Sequence, residues 1–91
     1  MKVIGKQPGE PAQLMEIENT LESLQKYVGG YIETVTIAED ACIVCNEEGR
    51  LLGLKRNCTL FGHEFVGPIL LVGVKGDEFC DTPETFLELM K

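Results

Sequence analysis

The run Pro68-Ile69-Leu70-Leu71-Val72-Gly73-Val74 constrains this chain more than any other feature. Seven residues pass without a charged or amide side chain, far fewer than the roughly 20 an apolar helix needs to cross a bilayer. Proline and glycine precede the run and Lys75-Gly76-Asp77 supplies a turn after it, so residues 69–74 read as a strand. The lack of alternation makes it the most buried strand of its sheet. The rest of the chain must supply that sheet and its cover.

Candidate neighbours are plain. Residues 2–5 and 13–17 read as short strands either side of the Pro8-Gly9-Glu10-Pro11 turn. Residues 31–37 alternate as Tyr-Ile-Glu-Thr-Val-Thr-Ile, and 41–46 form a more continuously apolar strand after a Glu39-Asp40 turn. Asn46-Glu47-Glu48-Gly49 is a further hairpin signal, so residues 31 to about 54 read as an antiparallel meander. Residues 57–67 read as a loop.

Two helices are predicted. Asn19-Thr20-Leu21-Glu22 has capping-box spacing with Asn19 as the cap, and Leu21, Leu24, Tyr27 and Val28 make one apolar stripe. Gly29-Gly30 stops that helix, placed near 20–28. Thr82-Pro83-Glu84 starts another near 83–90, with Thr82 as cap and Phe86, Leu87 and Met90 facing inward. The expectation is an α+β fold, a mostly antiparallel sheet of about five strands with two helices packed on it.

A chain of 91 residues fits one domain, here taken as 1–91. So short a chain has little apolar material for a deep pocket, which predicts a shallow site or one shared with a partner. Its hydrophobic share of 44% and charged share of 25% are those of a soluble globule. Residues 1–6 lack the apolar core of a secretion signal, which points to the cytoplasm. Fifteen acids against eight Lys and Arg give a formal charge of −7, which repels phosphate backbones and anionic lipid. Direct nucleic-acid and membrane binding are therefore not expected.

Cys42, Cys45, Cys58 and Cys80 raise the possibility of disulfides or a zinc site. Cys42-Ile43-Val44-Cys45, however, sits in strand-forming sequence. Strand positions three apart face opposite ways and lie about 10 Å apart, too far to share a metal or a disulfide. The four cysteines read as free thiols used as small buried hydrophobes, with no metal and no cofactor.

Nothing in the spacing assembles catalysis. His63 is the only histidine and has no identifiable nucleophile or orienting partner, and Ser23, the only serine, lies in the first predicted helix. The acidic pairs Glu39-Asp40 and Glu47-Glu48 fall in turns where water keeps both carboxylates ionised. A non-enzymatic protein is expected.

One segment departs from the acidic background. From Gly49 to His63 the chain carries Arg50, Lys55 and Arg56 and no acid, a local charge of +3. Arg50, Lys55, Arg56 and Asn57 together offer guanidinium, ammonium and amide donors, the combination that holds a phosphate or carboxylate. They are the candidate ligand-binding residues. The alternative is a set of surface cations balancing nearby acids.

Leu24-Gln25-Lys26-Tyr27-Val28-Gly29-Gly30-Tyr31-Ile32-Glu33, Asn46-Glu47-Glu48-Gly49 and Gly67-Pro68-Ile69-Leu70-Leu71-Val72-Gly73 together resemble the family known as domain of unknown function 3846. That resemblance implies an intracellular accessory protein of Gram-positive bacteria, their phages or conjugative elements, and implies no reaction. Where the family continues its central segment with Asn-Arg, this chain has Asn57-Cys58 and offers Arg56 one place earlier. Two readings follow. In one, the protein is a binding module that captures a small anionic ligand of nucleotide origin in counter-defence. In the other, its acidic face docks on and inhibits a host protein by imitating nucleic acid or by plain contact. A free edge strand in so small a sheet also leaves room for a homodimer.

Overall fold

The computed structural model describes residues 1–90. Its centre is β7 (Ile69–Lys75), flanked by β4 (Ala41–Asn46) on one side and by β1 (Lys2–Lys6) on the other. β2 (Gln13–Glu16) extends the sheet beyond β1, and β3 (Ile32–Ala38) extends it beyond β4. β8 (Glu78–Cys80) pairs with the far end of β7 and makes the sheet six-stranded. Every pairing is antiparallel. Ile69 to Gly73 and Ala41 to Asn46 are all buried, as the apolar runs at 69–73 and 41–45 require, with the Asn46 amide hydrogen-bonded at the strand end.

That double burial needs cover on both faces. On one face α1 (Leu21–Val28) lays Leu24 and Val28 over Val3, Cys42, Val44, Leu70 and Val72. On the other, a separate hairpin of β5 (Arg56–Leu60) and β6 (His63–Val66) brings Phe65 onto Ile4, Ile43, Ile69 and Leu71. α2 (Phe86–Met90) adds Met90 to the same cluster, with Phe86 and Leu87 against it. Period-two alternation divides β4 between the clusters: Cys42 and Val44 go one way, Ile43 and Cys45 the other.

The domain is thus a sheet-rich antiparallel fold with two short helices, and it holds more strands than the predicted five. Residues 57–67, expected as a loop, are mostly β5 and β6. Their turn, Phe61-Gly62, has positive φ at both positions (50° and 81°), the conformation that matches the twist of a two-residue hairpin. The bulky Phe61 masked that signal, and its ring is held edge-on by Phe86 at 6.4 Å. β8 is three residues long and also went unseen.

The expected meander to residue 54 stops at Asn46, because the Asn46 amide turns the chain. Its Oδ1 accepts from the Glu48 N–H at 2.8 Å, and its Nδ2 donates to the Val28 carbonyl at the end of α1 at 3.1 Å. Residues 47–53 then coil, with Leu52 N–H bonded to the Glu48 carbonyl and Leu54 N–H to that of Gly49.

Both predicted caps need correction. Thr20, not Asn19, caps α1: its extended backbone turns Oγ1 onto the Ser23 N–H at 3.2 Å. Asn19 instead donates to the Phe79 carbonyl, tying the helix start to β8. Leu21 falls outside the inward stripe and is exposed. Gly29 closes α1 at φ 84°, where its N–H reaches the Gln25 carbonyl. The second helix begins at Phe86, not 83, since Thr82 is buried and its N–H is taken by the Lys2 carbonyl. The chain reaches α2 by crossing directly over Gly73, where a side chain would collide with the Asp81 carbonyl oxygen.

Candidate functional site

The basic residues singled out from sequence lie on the β5–β6 hairpin and the coil before it. Arg50 is in the coil, Lys55 precedes β5, and Arg56 and Asn57 open that strand. Strand pairing brings Glu64 of β6 opposite Thr59, and Glu64 joins two of the cations. Its Oε1 lies 3.6 Å from Arg50 Nη1, its carbonyl accepts from Arg50 Nη2 at 3.0 Å, and its Oε2 accepts from Arg56 Nε at 3.3 Å. Arg56 Nη2 also donates to Thr59 Oγ1 at 2.9 Å. The acid-free segment ends one residue short of the acid that the fold inserts between its arginines. These pairs are solvent-exposed, of a kind worth up to about 1 kcal/mol.

Asn57 is only 8% exposed and its amide is committed to the backbone. Nδ2 donates to the carbonyls of Lys6 at 2.9 Å and Gly67 at 2.8 Å, while Oδ1 accepts from Lys6 Nζ at 2.9 Å. It fastens the hairpin to the end of β1, which leaves no donor for a ligand. Lys55 is exposed, and its carbonyl accepts from Gly67 N–H. The structure therefore brings Arg50 and Arg56 together around Glu64 and gives Asn57 a different task.

A concavity of about 380 Å³ opens between β3 and β6. Val35 and Phe65 give it apolar walls, Glu33, Glu47 and Glu64 supply carboxylates, and Arg50 and His63 supply basic groups. Burial and the Glu33 carboxylate push the Cys45 thiol beside it up to about 11, so it stays protonated and unreactive near neutrality. Burial also raises Cys42, and it raises Cys58 despite the opposing charges of Lys6 and Arg56. All four thiols are free, and Cys42 and Cys45 lie on opposite faces of β4 as strand geometry requires. Among the described residues no three His, Cys, Asp or Glu side chains are grouped to hold a metal ion.

Beside this groove the coil projects apolar side chains into water. Leu51 is 86% exposed and Leu52 59%, and Tyr31 nearby is 66% exposed. A hollow of about 220 Å³ between Gln25, the Gly29-Gly30 turn, Tyr31, Glu48 and Leu52 separates the coil from α1. The expected meander to residue 54 would have placed these leucines in a hairpin. Their one signal is a leucine pair enclosed by Gly49 and Gly53.

Among the described residues no helix is long and apolar enough to cross a membrane. No curated protein and no solved structure matches the chain. The resemblance drawn from its helix stop, its coil and its central strand does hold over the full length: the family model for the domain of unknown function DUF3846 matches residues 1–91, and the chain belongs to that family.

Proposed function

We propose that this protein is a non-enzymatic docking module, an accessory protein of a mobile element that works in the cytoplasm by seating its coil on a cellular protein. The observation that carries the reading is the exposed Leu51-Leu52 pair beside Tyr31, bordered by Glu33, Glu47 and Glu48. Apolar side chains this exposed cost solubility and are typical of contact surfaces. Aromatic and aliphatic anchors inside a charged rim are the usual anatomy of an interface. The acidic rim favours a partner whose contact face is basic, by steering encounter and rejecting acidic competitors.

A second reading, capture of a small anion, rests on Arg50, which lines the groove together with His63. An anion there must displace Glu64 from Arg50 and face Glu33 and Glu47 as well, and this ranks the reading second.

One pair of experiments separates the two. A Leu51→Asp, Leu52→Asp variant should keep the wild-type melting temperature and lose a partner that wild-type protein retains at low salt and releases at high salt. Arg50→Ala should retain that partner. Inorganic phosphate and nucleoside phosphates should leave the wild-type melting temperature unchanged. A phosphate-dependent rise abolished by Arg50→Ala, with partner capture untouched by the leucine changes, overturns the docking reading in favour of anion capture.

A further inference from the structure

We propose that β3 is the contact edge of a symmetric dimer, in which a second copy of this chain pairs antiparallel with it about Thr34. The inference goes beyond the docking role and does not depend on it.

Among the described residues β3 ends the sheet and pairs only with β4. Its seven residues contain no proline, lysine or arginine, and of the devices that keep an edge from pairing it holds one charge, Glu33, and a bulge after Thr36 that leaves residues 32–36 regular. The opposite edge, β2, is four residues long and follows Pro11 closely. The hydrogen-bond phase shows which groups are free. Tyr31 accepts from Glu47 N–H, so in alternating antiparallel order Glu33 and Val35 bond to Cys45 and Ile43. The N–H and C=O groups of Ile32, Thr34 and Thr36 therefore point away from β4. The same alternation accounts for the bond from Val74 N–H to the Asp40 carbonyl on the other side of β4.

Those three residues are self-complementary. With a two-fold axis through Thr34, Thr34 meets Thr34 of the second copy, and Ile32 meets its Thr36. Six backbone hydrogen bonds form, two at each of the three pairs. On the groove side Glu33 of each copy falls opposite Val35 of the other, so the two carboxylates do not face each other. Each incoming Glu33 instead lies at the mouth of a groove lined by Arg50 and His63 as well as by Glu33, Glu47 and Glu64, so the contact rests on the backbone pairing rather than on charge. The bulge between Thr36 and Ala38 limits pairing to this stretch, which makes a small contact and a weak, concentration-dependent dimer. A second copy suits this edge better than a foreign strand because the register follows from the chain's own sequence.

Sedimentation equilibrium across a wide protein range is the first test. Dimers should appear as concentration rises, and salt should strengthen them, because each copy carries −7. Thr34→Pro removes the two axial bonds, yet its lost N–H faces water in the monomer, so the fold should survive while the dissociation constant rises about tenfold or more. Thr34→Lys, which sets like charges on the axis, is the second variant should proline disturb the strand.

Register is tested by cross-linking in a Cys58→Ser, Cys80→Ser background under mild oxidation with glutathione disulfide. Paired Thr34→Cys sites have Cα atoms about 5.5 Å apart and should form an intermolecular disulfide. Thr36→Cys sites lie about 13 Å apart and should not. A monomer at every concentration, a dimer indifferent to both Thr34 variants, or equal cross-linking at 34 and 36 overturns the proposal.

Discussion

Replacing Asn57 with alanine tests whether this residue fastens the fold or waits for a ligand. Its amide makes three hydrogen bonds, two as donor to the Lys6 and Gly67 carbonyls and one as acceptor from Lys6 Nζ. After truncation the buried Gly67 carbonyl loses this donor, at a cost of about 1–3 kcal/mol. The partly buried Lys6 groups can recover water, so their loss is nearer the net value of about 0.5–1.5 kcal/mol. A total of about 2–4 kcal/mol is a large share of the roughly 5–15 kcal/mol that holds a domain folded. At about 4–8 °C per kcal/mol, the midpoint should fall by roughly 8–32 °C. The chain has two tyrosines and no tryptophan, so urea unfolding is best followed by far-UV circular dichroism, with the slope against denaturant checked for constancy. Arg56→Ala is the control: its exposed contacts should cost no more than about 1 kcal/mol. An Asn57→Ala protein within about 0.5 kcal/mol of wild type would falsify the fastening role and return the amide to the pool of ligand donors.

Gly73→Ala should be among the most damaging small substitutions, since the new methyl meets the Asp81 backbone; loss of the cooperative thermal transition is the readout, and a normal transition would show that the crossover can move. Thr20→Ala should cost about 1 kcal/mol by urea unfolding, as expected for an N-cap, and exceed the effect of Asn19→Ala; the reverse order would restore Asn19 as the cap. Leu24→Ala, truncating a side chain buried between α1 and the sheet, should cost about 2–4 kcal/mol, and a cost below 1 would mean the helix is loosely seated. Cys45 gives a pH prediction: burial and the Glu33 carboxylate push its thiol up to about 11 when folded, from the ordinary cysteine value of 9.0. The unfolded state then binds fewer protons between those values, so stability present below pH 9 should decline as pH rises toward 11. Cys45→Ala should flatten that decline relative to wild type; an unchanged slope would refute the assignment.

The central sheet was legible because its strands carry their own signals. β7 and β4 carry the apolar runs at 69–74 and 41–45, β3 alternates, and Gly29-Gly30 stops α1 within the local sequence. β5 and β6 carry no such pattern. Arg-Asn-Cys-Thr-Leu and His-Glu-Phe-Val are stabilised by pairing and by laying Phe65 and Leu60 on the sheet, and their turn uses a phenylalanine where asparagine or glycine would have announced it. The same hairpin sets the surroundings of the candidate ligand residues. Arg56 and Glu64 are eight residues apart in sequence, and only antiparallel pairing makes them neighbours, so a count of local charge saw three cations and no acid.

The same pairing changes what the surface offers. With Glu64 between Arg50 and Arg56 the basic segment carries less free charge than its composition suggests, and Asn57 is spent on Lys6 and Gly67. Among the described residues the fold leaves exposed the apolar tip of the coil at Leu51 and Leu52, and the outward backbone groups of β3. Tyr31 stands between them, at the start of the strand and on the rim of the hollow beside Leu52. An occupant of either surface changes the setting of the other. Pairing along β3 orders the strand that Tyr31 precedes, while a partner on the coil covers the groove that an incoming Glu33 would approach. Partner binding should therefore depend on protein concentration in wild type and lose that dependence in Thr34→Pro, an outcome that requires both surfaces to be occupied as described.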